Sequence, residues 1–166
     1  MTDAMKTFAL SRGKRTGQPD VAGFFDPRTF SIQYVVSDPA TRHCAIIDPV
    51  LDFDEKSGAT ATLQADAILA YVKREGLEVD WILDTHPHAD HFSAARYLHE
   101  KTGAPTAIGG PVTQVQALWK EIYNWPDLFP RDKAKVFIAS VIASWVPERL
   151  AQDNACKVLT LYFFSI

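Results

Sequence analysis

Three of the five histidines in this 166-residue chain fall within six positions, in Thr85-His86-Pro87-His88-Ala89-Asp90-His91. At that histidine frequency, a His-x-His-x-x-His spacing arises by chance in only about 0.004 of chains of this length, before Asp90 is also required. The cluster therefore calls for a chemical reason. Imidazole with carboxylate suits Zn(II), Fe(II) or Mn(II). If His86 to His88 is extended, side chains two apart point to the same side and both imidazoles reach one metal. If the chain turns helical near Asp90, then Asp90 and His91 swing to a neighbouring position. The outcome is two adjacent ligand sets, or one metal with polar partners around it. Pro87 stiffens the extended part and donates no hydrogen bond. A metal held here would acidify a bound water or polarise a substrate. A polar loop with solvated or capping histidines is the plainer reading, but it leaves the spacing unexplained. A site that keeps these ligands and lacks the rest is the stronger rival.

The elements that must position the cluster follow from periodicity. Phe30, Ile32, Tyr34 and Val36 alternate with Ser31, Gln33, Val35 and Ser37, which is strand periodicity. Asp38-Pro39-Ala40-Thr41 is turn chemistry, and His43 to Ile47 reads as the second strand of an antiparallel hairpin ended by Asp48-Pro49. Residues 52–58 read as an acidic loop. Thr60 or Thr62 caps a helix to about Glu75, with Leu63, Ala67, Ile68, Tyr71 and Val72 inward and Gly76 as its stop. Val79 to Leu83 is a short apolar strand. Phe92 to Lys101 reads as a helix with Phe92, Ala95 and Leu98 inward, ended by Gly103. Pro105 to Ile108 is a strand, Gly109-Gly110 a turn, and Val112, Val115, Leu118, Trp119 and Ile122 recur at helical spacing. Alternating helices and strands predict an α/β or layered α+β domain. The strand, polar loop and helix across 79–101 are where such sheets carry chemistry.

Composition sets the setting. Hydrophobic residues make up 47% and charged residues 22%, so the bulk of the chain is expected to fold. With 17 Lys plus Arg against 20 Asp plus Glu the net charge is −3, which argues against a broad basic face for nucleic acid. Cys44 and Cys156 are too few for a disulfide scaffold and fit a reducing cytosol. No apolar run near the N-terminus is long enough for a signal peptide or a membrane span. Lys6, Arg12, Lys14 and Arg15 resemble a transit peptide, which Asp3 opposes. A bacterial cytoplasmic protein with a loose basic leader is expected ahead of a mitochondrial one. From residue 133 the pattern changes, with an apolar run over 136–146 and another over 158–166.

Other residues carry weaker signals. Asp48 is expected to be a strand-end turn residue or a partner of a metal-bound imidazole. Asp84 and Thr85 are expected to orient the histidines or to cap the loop. His43 reads as structural, His99 as solvated and Cys44 as packed. Trp119, Tyr123 and Trp125 read as packing residues or the wall of a pocket.

Residues 85–91 also match the His-x-His-x-Asp-His signature of the metallo-β-lactamase fold superfamily. Within it the chain resembles the persulfide (sulfur) dioxygenases and bacterial β-lactamase hydrolase-like proteins. Phe24-Phe25-Asp26-Pro27, Ser31 to Val36, Ile47-Asp48-Pro49-Val50 and His86 to Leu98 carry that resemblance. It implies the N-terminal half of an αββα sandwich, with an arm over 1–22, a first-half domain over 23–132 and an atypical tail over 133–166 that reads as out of frame. It implies one Fe(II) per chain with His86 as a ligand and His88, Asp90 and His91 around it, acting on a glutathione-type thiol or persulfide to yield sulfite and glutathione. In the zinc hydrolases of this fold, which act on thioesters or lactones, His86, His88, Asp90 and His91 would all be direct Zn(II) ligands. Asp90 would then also be catalytic, orienting the attacking water. Both versions use a further His in a Pro-Gly-His segment and a further Asp. After His91 this sequence has only His99 and no Pro-Gly-His. A non-catalytic fragment is therefore the third reading. The expected partner is a small thiol, with neither nucleic acid nor membrane, and self-association into a homo-oligomer stays open.

Overall fold

A computed structural model of the chain describes residues 18–124 and the backbone of 7–11. The expected tail over 133–166, its boundary at 132, and Trp125 lie outside the described residues. The described residues divide into two compact units, the first ending at 84 and resuming over 88–106, the second holding 85–87 and 107–124.

The first unit holds a mixed sheet in the order β1-β2-β3-β4-β7. Its strands are β1 (Thr7–Ser11), β2 (Asp20–Phe25), β3 (Ile32–Ser37), β4 (His43–Ile47) and β7 (Glu78–Asp84). β1 to β4 pair antiparallel, whereas β4 and β7 run parallel. A second small sheet joins β5 (Val50–Phe53), β6 (Thr60–Ala61) and β8 (Phe92–Ser93) in the order β6-β5-β8. Helices α1 (Leu63–Glu75) and α2 (Ala95–Thr102) pack on the main sheet. Phe24, Val35, Cys44, Ile46 and Ile82 meet Ile68 and Val72 of α1 and Leu98 of α2 in one apolar cluster. This is the expected α/β layering, and burial of that cluster is what holds it.

The hairpin of β3 and β4 is where the sequence places it, with Val35 opposite Ile46. Several details differ. β3 starts at Ile32, because Phe30 adopts a left-handed φ of 60° and stands 78% exposed. The inward set on β3 includes Gln33 and Val35, and Ile32 faces out. Gln33 is buried because its Oε1 accepts the Val50 N–H at 2.7 Å. On α1, Leu63 is 72% exposed and Ala65 takes the inward place beside Ile68 and Val72. Thr62 sits at the helix start without capping it; its hydroxyl donates to Asp66 Oδ2. Gly76 ends α1 in the left-handed region, and the Leu77 N–H bonds Val72 O, as a helix stop of this kind requires. Residues 92 and 93 form a strand, not the first helical turn, and Phe92 is exposed. β2 lacks a clean alternation and was not expected from the sequence. β1 lies inside the stretch read as a loose arm.

Two expected outcomes arise from β4. Cys44 is buried, and burial, helped by the charge of Asp80, pushes its thiol up to about 12. Alkylation at pH 8 should spare Cys44 in the native chain and modify it in urea, read by peptide mass spectrometry; equal rates would contradict the burial. His43, at the start of the strand, bonds Asp80 Oδ1 of β7 through Nδ1 at 2.8 Å. That hydrogen bond and the Asp80 charge, with Glu78 and Asp38 adding, raise the His43 pKa above 6.5. A raised histidine stabilises the fold at pH below its unfolded value and loses that effect as pH climbs through its folded value. The melting-temperature gap between the wild type and His43→Gln should be widest in mildly acidic buffer and narrow toward alkaline pH. A gap that widens with pH would refute it.

The second unit holds Thr85–Pro87 and, among the described residues, helix α3 (Val112–Ile122), preceded by the Gly109-Gly110 turn. Strand β9 (Thr106–Ile108) leads into it. Val112 is the buried residue of α3, while Leu118, Trp119 and Ile122 are exposed. The Trp119 and Tyr123 rings stack at 5.1 Å. Among the described residues no helix is long and apolar enough to cross a membrane.

Candidate metal centre

β4 and β7 are parallel, with Ile47 beside Leu83, so both deliver their C-terminal ends to one edge. Ligand crevices of α/β sheets form at such edges. The next residues are Asp48 and Asp84. Asp48 takes a left-handed φ of 51°, which a short polar side chain tolerates, and its N–H bonds Leu83 O at 2.8 Å. Its carboxylate is turned to His88, where Oδ1 accepts from Nε2 at 2.9 Å. Asp48 is thus both the turn residue and the imidazole partner that its position allowed.

His88 is nearly buried, and its other nitrogen, Nδ1, faces Asp90 Oδ1 at 3.7 Å. Burial opposes charging of this ring, but the hydrogen bond and charge of Asp48, with Asp84 and Asp90 nearby, raise its pKa. The His88 and His91 rings lie 4.1 Å apart at 33°. His91 Nδ1 is 3.1 Å from Asp90 Oδ2. Slight burial works against the Asp90 charge, yet hydrogen bonds from His91 and Ser31 hold its carboxyl down at about 2, so it is ionised near neutrality. Asp84 is the opposite case. Burial pushes it up to about 6, the Asp48 charge adds, and the Ser93 hydroxyl and His88 oppose. Ser93 Oγ lies 2.8 and 2.9 Å from the two Asp84 oxygens and accepts the Ala95 N–H, so one hydroxyl ties the strand end to the start of α2.

The structure brings His88, Asp90 and His91 together, with one potential ligand atom from each within 4.8 Å of the others; Asp48, Asp84 and His88 form a second such group. His86 belongs to neither group. It lies exposed in the second unit, where its Nδ1 is 2.8 Å from Thr85 Oγ1. In that unit Gly109 lets the backbone close on Thr85, since a Cβ there would stand 3.1 Å from the Thr85 carbonyl. His99, read as solvated, bonds Ala104 O through Nδ1 and closes the end of α2.

A divalent cation fits the residues of the first group. The His91 side chain is 1% exposed, and its Nε2 is buried with no hydrogen-bond partner. Leaving a buried polar atom unsatisfied costs about 1–3 kcal/mol. A lone pair on that nitrogen, beside a second imidazole and an ionised carboxylate, is what a metal of the zinc or iron type accepts. Sequence reasoning missed Ser31 and Ser93. Ser31 reaches Asp90 from 59 residues away, so no local spacing could announce it. Ser93, just before a helix, carried a capping signal that was readable.

Residues 29–142 match the metallo-beta-lactamase superfamily. A "Beta-lactamase hydrolase-like protein" of Xylella fastidiosa is 76% identical over 110 residues, covering 66% of this chain and 26% of that one. "Glyoxylase B2" of Dictyostelium discoideum is 46% identical over 101 residues, covering 60% and 35%. "Persulfide dioxygenase ETHE1, mitochondrial" of Bos taurus is 30% identical over 111 residues, covering 66% and 39%. The chain spans about a quarter of the length of the first of these relatives. With the matched region covering more than half of the sequence and enclosing the histidine cluster, the chain belongs to the metallo-beta-lactamase superfamily.

Proposed function

We propose that the chain carries part of a metal-dependent site that oxidises glutathione persulfide. The net reaction is R–S–SH + O2 + H2O giving R–SH + HSO3− + H+, with R–SH glutathione. The single observation that carries the metal part is the buried, unpartnered His91 Nε2 beside Asp90 and His88. The substrate part is supported by likeness to the Bos taurus protein named a persulfide dioxygenase. In this reading His86 is a direct ligand to one Fe(II) per chain, and His88, Asp90 and His91 surround it. The bound metal would supply Lewis acidity and O2 activation. The chain's own residues do the rest. Asp48 fixes the His88 ring, and Asp90 adds a fixed negative charge. The setting is a bacterial cytoplasm, with self-association into a homo-oligomer part of the same proposal. In the same reading residues 23–132 are the first half of the domain, the stretch before them is an arm that contributes β1 to the sheet, and the departure from the family lies within 133–166, past the matched residues 29–142.

A second reading is a zinc hydrolase of a thioester or lactone. The gathering of His88, Asp90 and His91 favours it, because all three are direct Zn(II) ligands there and Asp90 orients the attacking water. One experiment separates the readings. The purified full chain is loaded with Fe(II) or Zn(II), its metal content is measured, and persulfide-dependent O2 uptake is followed beside thioester hydrolysis. Uptake with iron that is lost in His86→Ala supports the dioxygenase. Hydrolysis with two Zn per chain overturns it in favour of the hydrolase. No metal and no turnover overturns both and leaves a non-catalytic chain.

A further inference from the structure

Behind the cluster lies a loop that neither reading uses. Asp26 is buried, and its carboxylate accepts the N–H groups of Arg28 and Thr29 at 3.1 and 3.3 Å and the Thr29 hydroxyl at 2.7 Å. Its own N–H bonds Ser31 O at 2.9 Å. These bonds close residues 26–31 on themselves and accept the left-handed Phe30. The closed loop ends at Ser31, whose hydroxyl donates to Asp90 Oδ2 at 2.8 Å and lies 3.3 Å from His91 Nδ1.

A serine hydroxyl has one proton and two lone pairs. Its proton goes to Asp90, so toward His91 its oxygen can only accept. Asp90 Oδ2, 3.1 Å from the same nitrogen, also only accepts. Both neighbours of Nδ1 are therefore acceptors, the ring proton sits on Nδ1, and Nε2 keeps its lone pair. Asp90 is half-exposed, so water competes for its carboxylate. Ser31 is the neutral tether that keeps Oδ2 on His91 and leaves Oδ1 toward His88.

We propose that Ser31, carried by the Asp26-pinned loop, is a positioning residue that selects the Nδ1–H tautomer of His91 and thereby makes the buried Nε2 a donor atom for a divalent cation. The inference rests on the reading in which His91 is itself a direct ligand, as in the zinc hydrolase, and its test keeps the two apart.

The tautomer is read without metal, by long-range proton–nitrogen correlation on the 15N-labelled full chain. In the wild type, His91 Nδ1 should resonate as a protonated nitrogen and Nε2 as a bare one. Ser31→Ala should average the two shifts, and Ser31→Thr, which keeps the hydroxyl, should restore them. Amide dispersion reports whether each variant folds. Zn(II) affinity is then measured by competition with a chromophoric chelator. Loss of an orienting partner costs roughly 10–100-fold in metal affinity, and that drop is expected for Ser31→Ala with recovery in Ser31→Thr. An Nε2–H tautomer in the wild type, or a folded Ser31→Ala with unchanged tautomer and affinity, overturns the inference. A wild type that binds no Zn(II) yet shows the tautomer change overturns the cation reading and leaves the role of Ser31 in selecting the tautomer standing.

Discussion

His88→Ala is expected to lose more metal affinity than the roughly 10–100-fold that follows removal of a ligand's supporting partner. His88 is the one residue shared by both groups of potential ligands. Its removal takes a nitrogen from the Asp90–His91 side and leaves the Asp48 and Asp84 carboxyls facing each other across a gap. The Asp84 carboxyl, already raised to about 6, loses the imidazole that pulls it down. Asp48→Asn keeps both imidazoles and only weakens the anchor on Nε2, so its loss should fall within that smaller range. Chelator competition and bound-metal analysis on folded variants decide the matter. Full metal occupancy in His88→Ala would remove this residue from the centre.

The second large effect is on stability. Phe24 is 1% exposed at the heart of the apolar cluster, and its ring meets Tyr71 edge to face at 5.4 Å. Truncating a buried Phe to Ala costs about 3–5 kcal/mol, from lost burial and from the cavity left behind. Domains hold only about 5–15 kcal/mol in all, so Phe24→Ala should shift the urea midpoint far down, read by circular dichroism. Phe30 is the control. It is 78% exposed with a left-handed backbone, and Phe30→Gly gives up only a tilted ring contact with Phe25 at 6.3 Å while relieving an unfavourable φ. That variant should unfold no earlier than the wild type. Similar losses in both would mean that burial does not govern stability here.

How far these features could be read beforehand depended on whether the signal was local. The β3–β4 hairpin, the end of α1 at Gly76 and the strand before the histidines followed from alternation, turn residues and a left-handed glycine, all within a few positions. The histidine cluster declared itself by composition and spacing. Inward and outward faces were harder to assign. Leu63 and Phe92 are apolar by type yet exposed, because each sits where its element begins and the core has not been reached. Gln33 is polar by type yet buried, because a distant backbone N–H at Val50 bonds it inside. The same reason hid Ser31, whose role depends on Asp90 and His91, far along the chain. β2 carries Gly23 between Ala22 and Phe24 and breaks the expected alternation, so only its pairing with β3 defines it.

One consequence follows from the way His88 reaches back to Asp48 while no side chain of residues 84–93 joins the apolar cluster. Collapse and loading are separate events. Unlike small zinc modules, which are random coil until the ion arrives, this scaffold is expected to be finished before any ion of the proposed centre arrives. Dialysis against EDTA should leave the far-ultraviolet spectrum intact. Titration of ion back should raise the melting point smoothly with the logarithm of its concentration, without any abrupt onset of secondary structure.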